Sequence, residues 1–478
     1  MSKVPDASNR IHARWFSLAV AAIIAVVVFV YYAPFLNNFF DYDDFRYVEN
    51  MYKGFLDILL GYGSFRIVSN LAWWPIFHFF AFDPVGYNVF SFAMLFADAL
   101  LLYFLSKKLL SDSVSAALTA ILFVGGSVGA DAVLWKCTNS TLMCFFFYIL
   151  SLLAYLRWRQ GGDLPFALAS LAAFIFAILS KEEAASLPGV IILLEFLILG
   201  ERGVIAIAKR VAPYCVIITL YIVGSREFFT LVGRDPEPSK FFKLRPLHTV
   251  LSPWSVFSLS PEGLYDFSSI LLYLIPITLL IMLFFLPRRR ELCFAFGWIF
   301  LTFVPQSFTS LGQFVPKYLF NSMSRYLFLP SAGAALALAV VLVGIGSRWG
   351  RKVGATVAVI VIGLYFNVHY SRVHERGSVW GNDAEPVRTF LREMKIVIPQ
   401  FPPHSYVAVL DAPTGRAYVQ QSLRASYQNP DITWIVDPLK YHPKNGENAY
   451  LIRCLWREDN LKIQVFDFES GMKQLQIR

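Results

Sequence analysis

The sequence is built from long, uninterrupted apolar runs separated by short polar stretches. The first run covers 15–36, with one proline and no charge. Further runs follow at roughly 86–106, 114–130, 138–156, 164–180, 184–200, 210–228, 266–287, 292–312, 327–346 and 353–370. An α-helix rises about 1.5 Å per residue, so about 20 apolar residues cross a bilayer's hydrocarbon core. Only helices and closed barrels satisfy their backbone polar groups in lipid. The runs are continuous rather than alternating, which selects helices. The pattern predicts an all-α polytopic membrane protein with about 11 transmembrane helices. The first run is too long for the core of a signal peptide and lacks a small-x-small cleavage site, so it reads as a permanent first helix.

Beyond residue 370 the pattern changes. Strand-like runs at 406–410, 433–436, 449–455 and 461–468 are divided by proline and asparagine. They predict a small α/β domain over 371–478, following a transmembrane domain over 1–370. Composition agrees with the membrane reading. Of 478 residues, 56% are hydrophobic and only 16% charged, against about 25% charged in soluble domains.

Charge sets the expected orientation. Arg10 and Arg14, Lys107 and Lys108, Arg157 and Arg159, Arg202 with Lys209 and Arg210, Arg288 to Arg290, and Arg348 with Arg351 and Lys352 all fall on one side. The positive-inside rule makes that side cytoplasmic. It also accounts for most of the net charge of +9 without a nucleic-acid partner. The opposite side receives loops 37–85 and 229–265, the turns 131–137 and 180–183, the stretch 313–326 and the C-terminal domain. The five cysteines have neither zinc spacing nor a disulfide pattern.

The first external loop begins Asn37-Asn38-Phe39-Phe40-Asp41-Tyr42-Asp43-Asp44-Phe45. Crowded carboxylates repel, which raises a pKa and suits a general base or a metal ligand. The plain alternative is a solvated acidic loop. Trp73, Trp74, Phe77, Phe79, Phe80 and Phe82 further along the loop predict amphipathic helices lying on the membrane. Asp98 and Glu195 fall inside apolar runs, where acids are expensive. Helix packing is the plain reading for Asp98, and reach to the interface the plain reading for Glu195.

Five segments carry a family resemblance. Asn38-Phe39-Phe40-Asp41-Tyr42-Asp43-Asp44, with Asn50, resembles the first-loop Asp-Asp motif of GT-C membrane glycosyltransferases. The likeness is to the protein O-mannosyltransferases that carry tetratricopeptide repeats and to their bacterial relatives. Asp83-Pro84-Val85-Gly86-Tyr87-Asn88 with Ala99 to Tyr103, Ala130 to Trp135, Leu179-Ser180-Lys181-Glu182, and Ser324 to Ser331 follow in the family's order. The resemblance covers about residues 30–335. The sequence departs from the family at Gly126-Ser127, Asn139 and Ser324, where the pattern has His-Pro, Arg and Glu, and no repeat array follows.

The resemblance implies a sugar donor carried on polyprenyl phosphate and a hydroxyl acceptor on protein, lipid or glycan. It makes the chain an inverting glycosyltransferase of GT-C type, with mannose a candidate sugar. Transfer needs a base, cations for the leaving phosphate and a groove for the prenyl chain. Asp43 or Asp44 is the expected base, with Asp44 favoured by alignment. Asp131 is expected to join them, and Asp44 with Asp131 would suit Mg²⁺ or Mn²⁺. His78 and His248 are minor candidates for further ligands. Arg325 is the first choice for the phosphate, because arginine binds it bidentately; Lys181, Lys317 and Arg66 follow. A bacterial inner membrane is expected, with an endoplasmic reticulum membrane the alternative. The competing classes are a transporter or flippase of lipid-linked glycans and a non-catalytic scaffold. Transporters usually show inverted repeats and polar residues at the midplane; here no repeat is visible and the polar residues gather at one face.

Overall fold

The computed structural model describes residues 7–52, 58–59, 65–110, 112–231, 256, 285, 288–307, 324–414, 416–435, 438, 440–443, 447–457, 460–470 and 472. Lys317, His248, nearly all of the expected span 266–287 and most of loop 229–265 lie outside these residues.

Helix α1 (Ala7–Tyr32) leads into the acidic loop, which carries short α2 (Asp44–Met51) and aromatic α3 (Ile67–Phe80). Then come α4 (Pro84–Leu110), α5 (Ser113–Gly125), the one-turn α6 (Ala130–Leu134), α7 (Asn139–Gly161) and α8 (Leu164–Ser180). A 3₁₀ turn at Glu182–Ser186 opens α9 (Leu187–Leu193), which relaxes into a π turn over Leu194–Ile198. Helices α10 (Val204–Leu231), α11 (Arg289–Ser307), α12 (Phe328–Trp349) and α13 (Arg351–Val397) follow. Among the described residues six helices are long and apolar enough to cross a membrane, and α5 and α8 are shorter apolar helices. The protein is a multi-pass membrane protein.

Local chemistry explains the boundaries. Asp112 caps α5 by accepting the N–H groups of Val114 and Ser115 at 3.1 and 3.2 Å. Gly162 ends α7 at φ +76°, in the left-handed region that glycine reaches without cost. Gly333 lets α12 press on α11: a Cβ there would lie 2.7 Å from the Ala295 carbonyl. The Trp298 indole then donates to the Leu329 carbonyl at 2.9 Å.

Helix α13 runs unbroken through residue 370, so its second half stands clear of the apolar run at 353–370. That half carries the C-terminal sheet, with Val387, Phe390, Leu391 and Met394 buried beneath it. Strands β1 (Ser405–Leu410), β2 (Thr433–Trp434), β3 (Asn448–Arg457) and β4 (Asn460–Asp467) lie in the order β2-β1-β3-β4. Strand β1 is parallel to both β2 and β3, with Val407 beside Trp434 and Tyr450, and β3 turns back antiparallel to β4. Parallel neighbours need a crossover, and α14 (Arg416–Tyr427) supplies it between β1 and β2. Helix α14 also packs on α2, so the crossover of the C-terminal sheet sits directly on the acidic loop.

Candidate active site

The loop is pinned at its start. Asn88 of α4 donates to the carbonyls of Leu36 and Asn38 at 2.8 and 3.2 Å. The Asn38 amide reaches the Gly377 carbonyl of α13 at 2.8 Å. The chain then turns at Tyr42, a non-glycine residue at φ +44°. Such a residue is strained and persists only where its surroundings hold it. Here the Tyr42 ring packs edge-on against Tyr418 and Trp380, with centroids 5.2 and 6.4 Å away.

This turn separates the acids. Asp44 is 1% exposed, and its two oxygens accept main-chain N–H groups, Cys137 at 2.7 Å and Asp41 at 3.1 Å. Burial pushes its pKa up to about 6, against the pull of Lys136 and those two amides. Asp41 is also buried, and burial together with the Asp44 carboxylate pushes it up to about 7. Asp43 holds the N-cap position of α2 but makes no capping hydrogen bond with its side chain, which is 32% exposed. Its carboxylate faces Arg46 at 3.8 Å, Arg325, and the Tyr418 hydroxyl, which hydrogen-bonds it. Burial raises its pKa, and these three neighbours oppose the rise. Asp43 is thus the first-loop acid turned toward cations and open space.

Asp131, at the start of α6, is fully buried. Its Oδ1 accepts Arg376 Nη2 at 2.8 Å, Arg376 Nε at 3.1 Å and the Trp380 indole at 2.9 Å. Trp380 in turn stacks on Trp135, centroids 5.1 Å apart. The Arg325 guanidinium lies over both the Trp135 and Tyr326 rings, at 4.8 and 4.7 Å. An aromatic platform of this kind holds a guanidinium by cation–π attraction of about 0.5–2 kcal/mol, and Arg325 Nη2 also donates to the Tyr326 hydroxyl at 3.2 Å. Lys181 lies 4.8 Å over the other partner, Tyr326. It is buried, pairs with Glu183 and donates to Thr141 at 2.8 Å. Arg66 forms a bidentate pair with Glu182, at 2.8 and 3.1 Å.

The structure therefore links Asp43, Asp44, Asp131 and Arg325 in one cluster at the acidic face, with Lys181 joined through Tyr326. It gives Arg66 and Lys181 carboxylate partners, and Lys317 lies outside the described residues. Among the described residues no group of three or more His, Cys, Asp or Glu side chains is placed to hold a metal ion. Asp44 and Asp131 each face N–H donors, which is not the donor set a hard cation selects. His78 stacks on Trp74, centroids 5.8 Å apart.

Four functional neighbours escape the sequence reading. Lys136 is buried beside Asp41 and Asp44 and donates to the Phe39 carbonyl at 2.9 Å. Arg376 and Trp380 lie one helical turn apart, and Tyr418 comes from the C-terminal domain. The i, i+4 spacing of Arg376 and Trp380 was the one available signal. Away from the site, Glu195 is buried against Arg159 Nε at 2.6 Å, Arg210 at 3.1 Å and the Tyr155 hydroxyl at 2.5 Å. Asp98 is fully buried, and neither of its oxygens has a hydrogen-bond partner among the described residues.

No protein-family model and no curated protein matches the chain. Solved structures do. ArnT from Cupriavidus metallidurans bound to undecaprenyl phosphate superposes with a TM-score of 0.53 at 13% identity, over 94% of this chain and 97% of that one. The archaeal oligosaccharyltransferase AglB from Archaeoglobus fulgidus, in complex with an inhibitory peptide and a dolichol-phosphate, gives 0.52 at 12% identity, over 90% of this chain. The match spans 65% of the AglB chain. The chain shares the polytopic helical fold of these two structures, completed by a small C-terminal sheet.

Proposed function

We propose that the protein is a membrane glycosyltransferase that moves a sugar from a polyprenyl-phosphate carrier to a hydroxyl acceptor. The observation that carries this reading is the meeting of the half-buried Asp43 with Arg325 on its aromatic platform. The likeness to ArnT and AglB, solved with undecaprenyl phosphate and dolichol-phosphate, supports the donor class. In this reading Asp43 takes the proton of the acceptor hydroxyl. The hydroxyl oxygen attacks the anomeric carbon on the face opposite the phosphate, and the carbon–phosphate oxygen bond breaks. The polyprenyl phosphate leaves with the negative charge, which Arg325 and the nearby Lys181 stabilise. Asp44 and Asp131 are positioning residues: one fixes the loop to Cys137, the other fixes the Trp380–Trp135 platform.

Mannose is the sugar the motif resemblance favours. AglB has also been solved with Zn and sulfate; a divalent cation stays outside the steps above, which use only side chains. The division into residues 1–370 and 371–478, with the second domain outside the cytoplasm of a bacterial inner membrane, belongs to the same proposal. The test is transfer by purified protein from a panel of polyprenyl-phosphate sugars to short-chain alcohols and detergent-soluble glycans. Turnover with at least one donor supports the reading. Absence of turnover and of donor binding across the panel would move the weight to a transporter or a scaffold.

A further inference from the structure

Away from the acidic cluster, a cavity lies within the helix bundle. It encloses about 300 Å³ between α5, α12 and α13, against Gly129, Ala334, Ala335, Leu338 and Leu364. Its walls are mostly apolar; of the polar residues that line it, the Ser331 and Tyr365 hydroxyls donate to the Phe328 and Leu122 carbonyls, and the third is His369. Leu364 is 62% exposed, so the cavity borders the outer surface of the bundle where the bilayer lies.

The His369 ring has a defined hydrogen pattern. Its Nδ1 lies 3.1 Å from the Ser127 backbone nitrogen and 2.8 Å from the Ser127 hydroxyl. A backbone N–H can only donate, so Nδ1 is the acceptor and the neutral ring carries its proton on Nε2. His369 is 2% exposed, and its Nε2 has no hydrogen-bond partner among the described residues. An N–H that opens onto a mostly apolar cavity gains a hydrogen bond when an acceptor enters it.

Depth identifies the acceptor. His369 lies 18 residues beyond Arg351 on one helix, about 27 Å along its axis. A hydrocarbon core is about 30 Å thick, so His369 stands at its edge on the acidic face. Glycerolipids place their ester carbonyls at that level. We infer that the cavity binds one acyl chain of a glycerolipid from the acidic-face leaflet, with the ester carbonyl accepting the His369 Nε2 proton. A phosphate also accepts such a proton but sits further out, in the headgroup layer, so depth assigns the site to the ester carbonyl rather than to the donor's phosphate. The site needs no sugar chemistry to exist.

The test is native mass spectrometry of the full-length protein after incubation with an equimolar mixture of diacyl phosphatidylethanolamine and its diether analogue, which lacks the carbonyls. One hydrogen bond predicts retention of the diacyl lipid about threefold to tenfold over the diether. His369→Phe is expected to erase that preference, and Ala335→Leu to reduce retention of both lipids. Equal retention by the wild type, a comparison that needs no variant, would overturn the inference. So would unchanged retention in Ala335→Leu, or displacement of the diacyl lipid by equimolar undecaprenyl phosphate.

Discussion

Replacing Arg376 by alanine strips the buried Asp131 carboxylate of the two hydrogen bonds that the guanidinium donates to it. Asp131 is 0% exposed at its side chain, and Arg376 is 20% exposed. Removing one partner of a buried ion pair costs about 3–5 kcal/mol, because the remaining charge is left without compensation. The Trp380 indole still donates at 2.9 Å, which keeps the expected loss near the lower end, about 3 kcal/mol. Asp131→Asn leaves the guanidinium instead, and its partial exposure lets water return, so the expected loss is smaller, about 1–2 kcal/mol. The two changes share one interaction and are expected to couple by more than about 0.5 kcal/mol. Equilibrium unfolding in mixed micelles of increasing SDS content measures all three variants against the wild type. A loss in Arg376→Ala below about 0.5 kcal/mol, the size of an ordinary surface substitution, would contradict a buried ion pair between Arg376 and Asp131. So would additive losses in the double variant.

Two further predictions use the acids of the first loop. Asp41 and Asp44 have folded-state pKa values raised to about 7 and about 6, so between about pH 4 and pH 7 the folded state binds more protons than the unfolded one. Their contribution is therefore fully favourable below about pH 4 and is lost as the pH rises through 6 and 7. Thermal unfolding at pH 5 and pH 8 should show the wild type losing stability with pH and Asp41→Asn losing less; equal slopes would contradict the assignment. The Tyr418 hydroxyl lowers the Asp43 pKa by hydrogen-bonding its carboxylate. Tyr418→Phe should then move the acid limb of the pH–rate profile to higher pH while the limiting rate changes little, and an unmoved limb would separate Tyr418 from Asp43.

Much of the helical plan is written in the hydropathy pattern. The runs at 86–106, 164–180 and 327–346 correspond to Pro84–Leu110, Leu164–Ser180 and Phe328–Trp349. The four strand-like runs of the C-terminal region all appear as paired strands. Hydropathy marks where lipid ends rather than where a helix ends. That is why the run at 353–370 stops while the helix continues to Val397 on polar residues such as Arg372, Glu375 and Arg376. The run at 184–200 likewise conceals the end of a 3₁₀ turn, an α-helix and a π turn, because hydropathy does not distinguish one helical hydrogen-bond pattern from another.

The acidic loop was visible as a cluster of charge, but the different surroundings of Asp43 and Asp44 were not. Adjacent residues share every local signal, and only the cap geometry and the distant Cys137 amide tell them apart. Arg376 lies 245 residues from Asp131, a separation no spacing rule spans. Tyr418 enters the site only because α14 crosses between two parallel strands and lands on α2.

The most direct test of the central claim is single-turnover sugar transfer by Asp43→Asn, measured beside donor binding by the same preparation. The folded variant is expected to bind the polyprenyl-phosphate donor as the wild type does and to transfer slower by at least about 100-fold, the lower end of what a general base contributes. Transfer within a few-fold of the wild type would remove Asp43 from the chemistry and contradict the account.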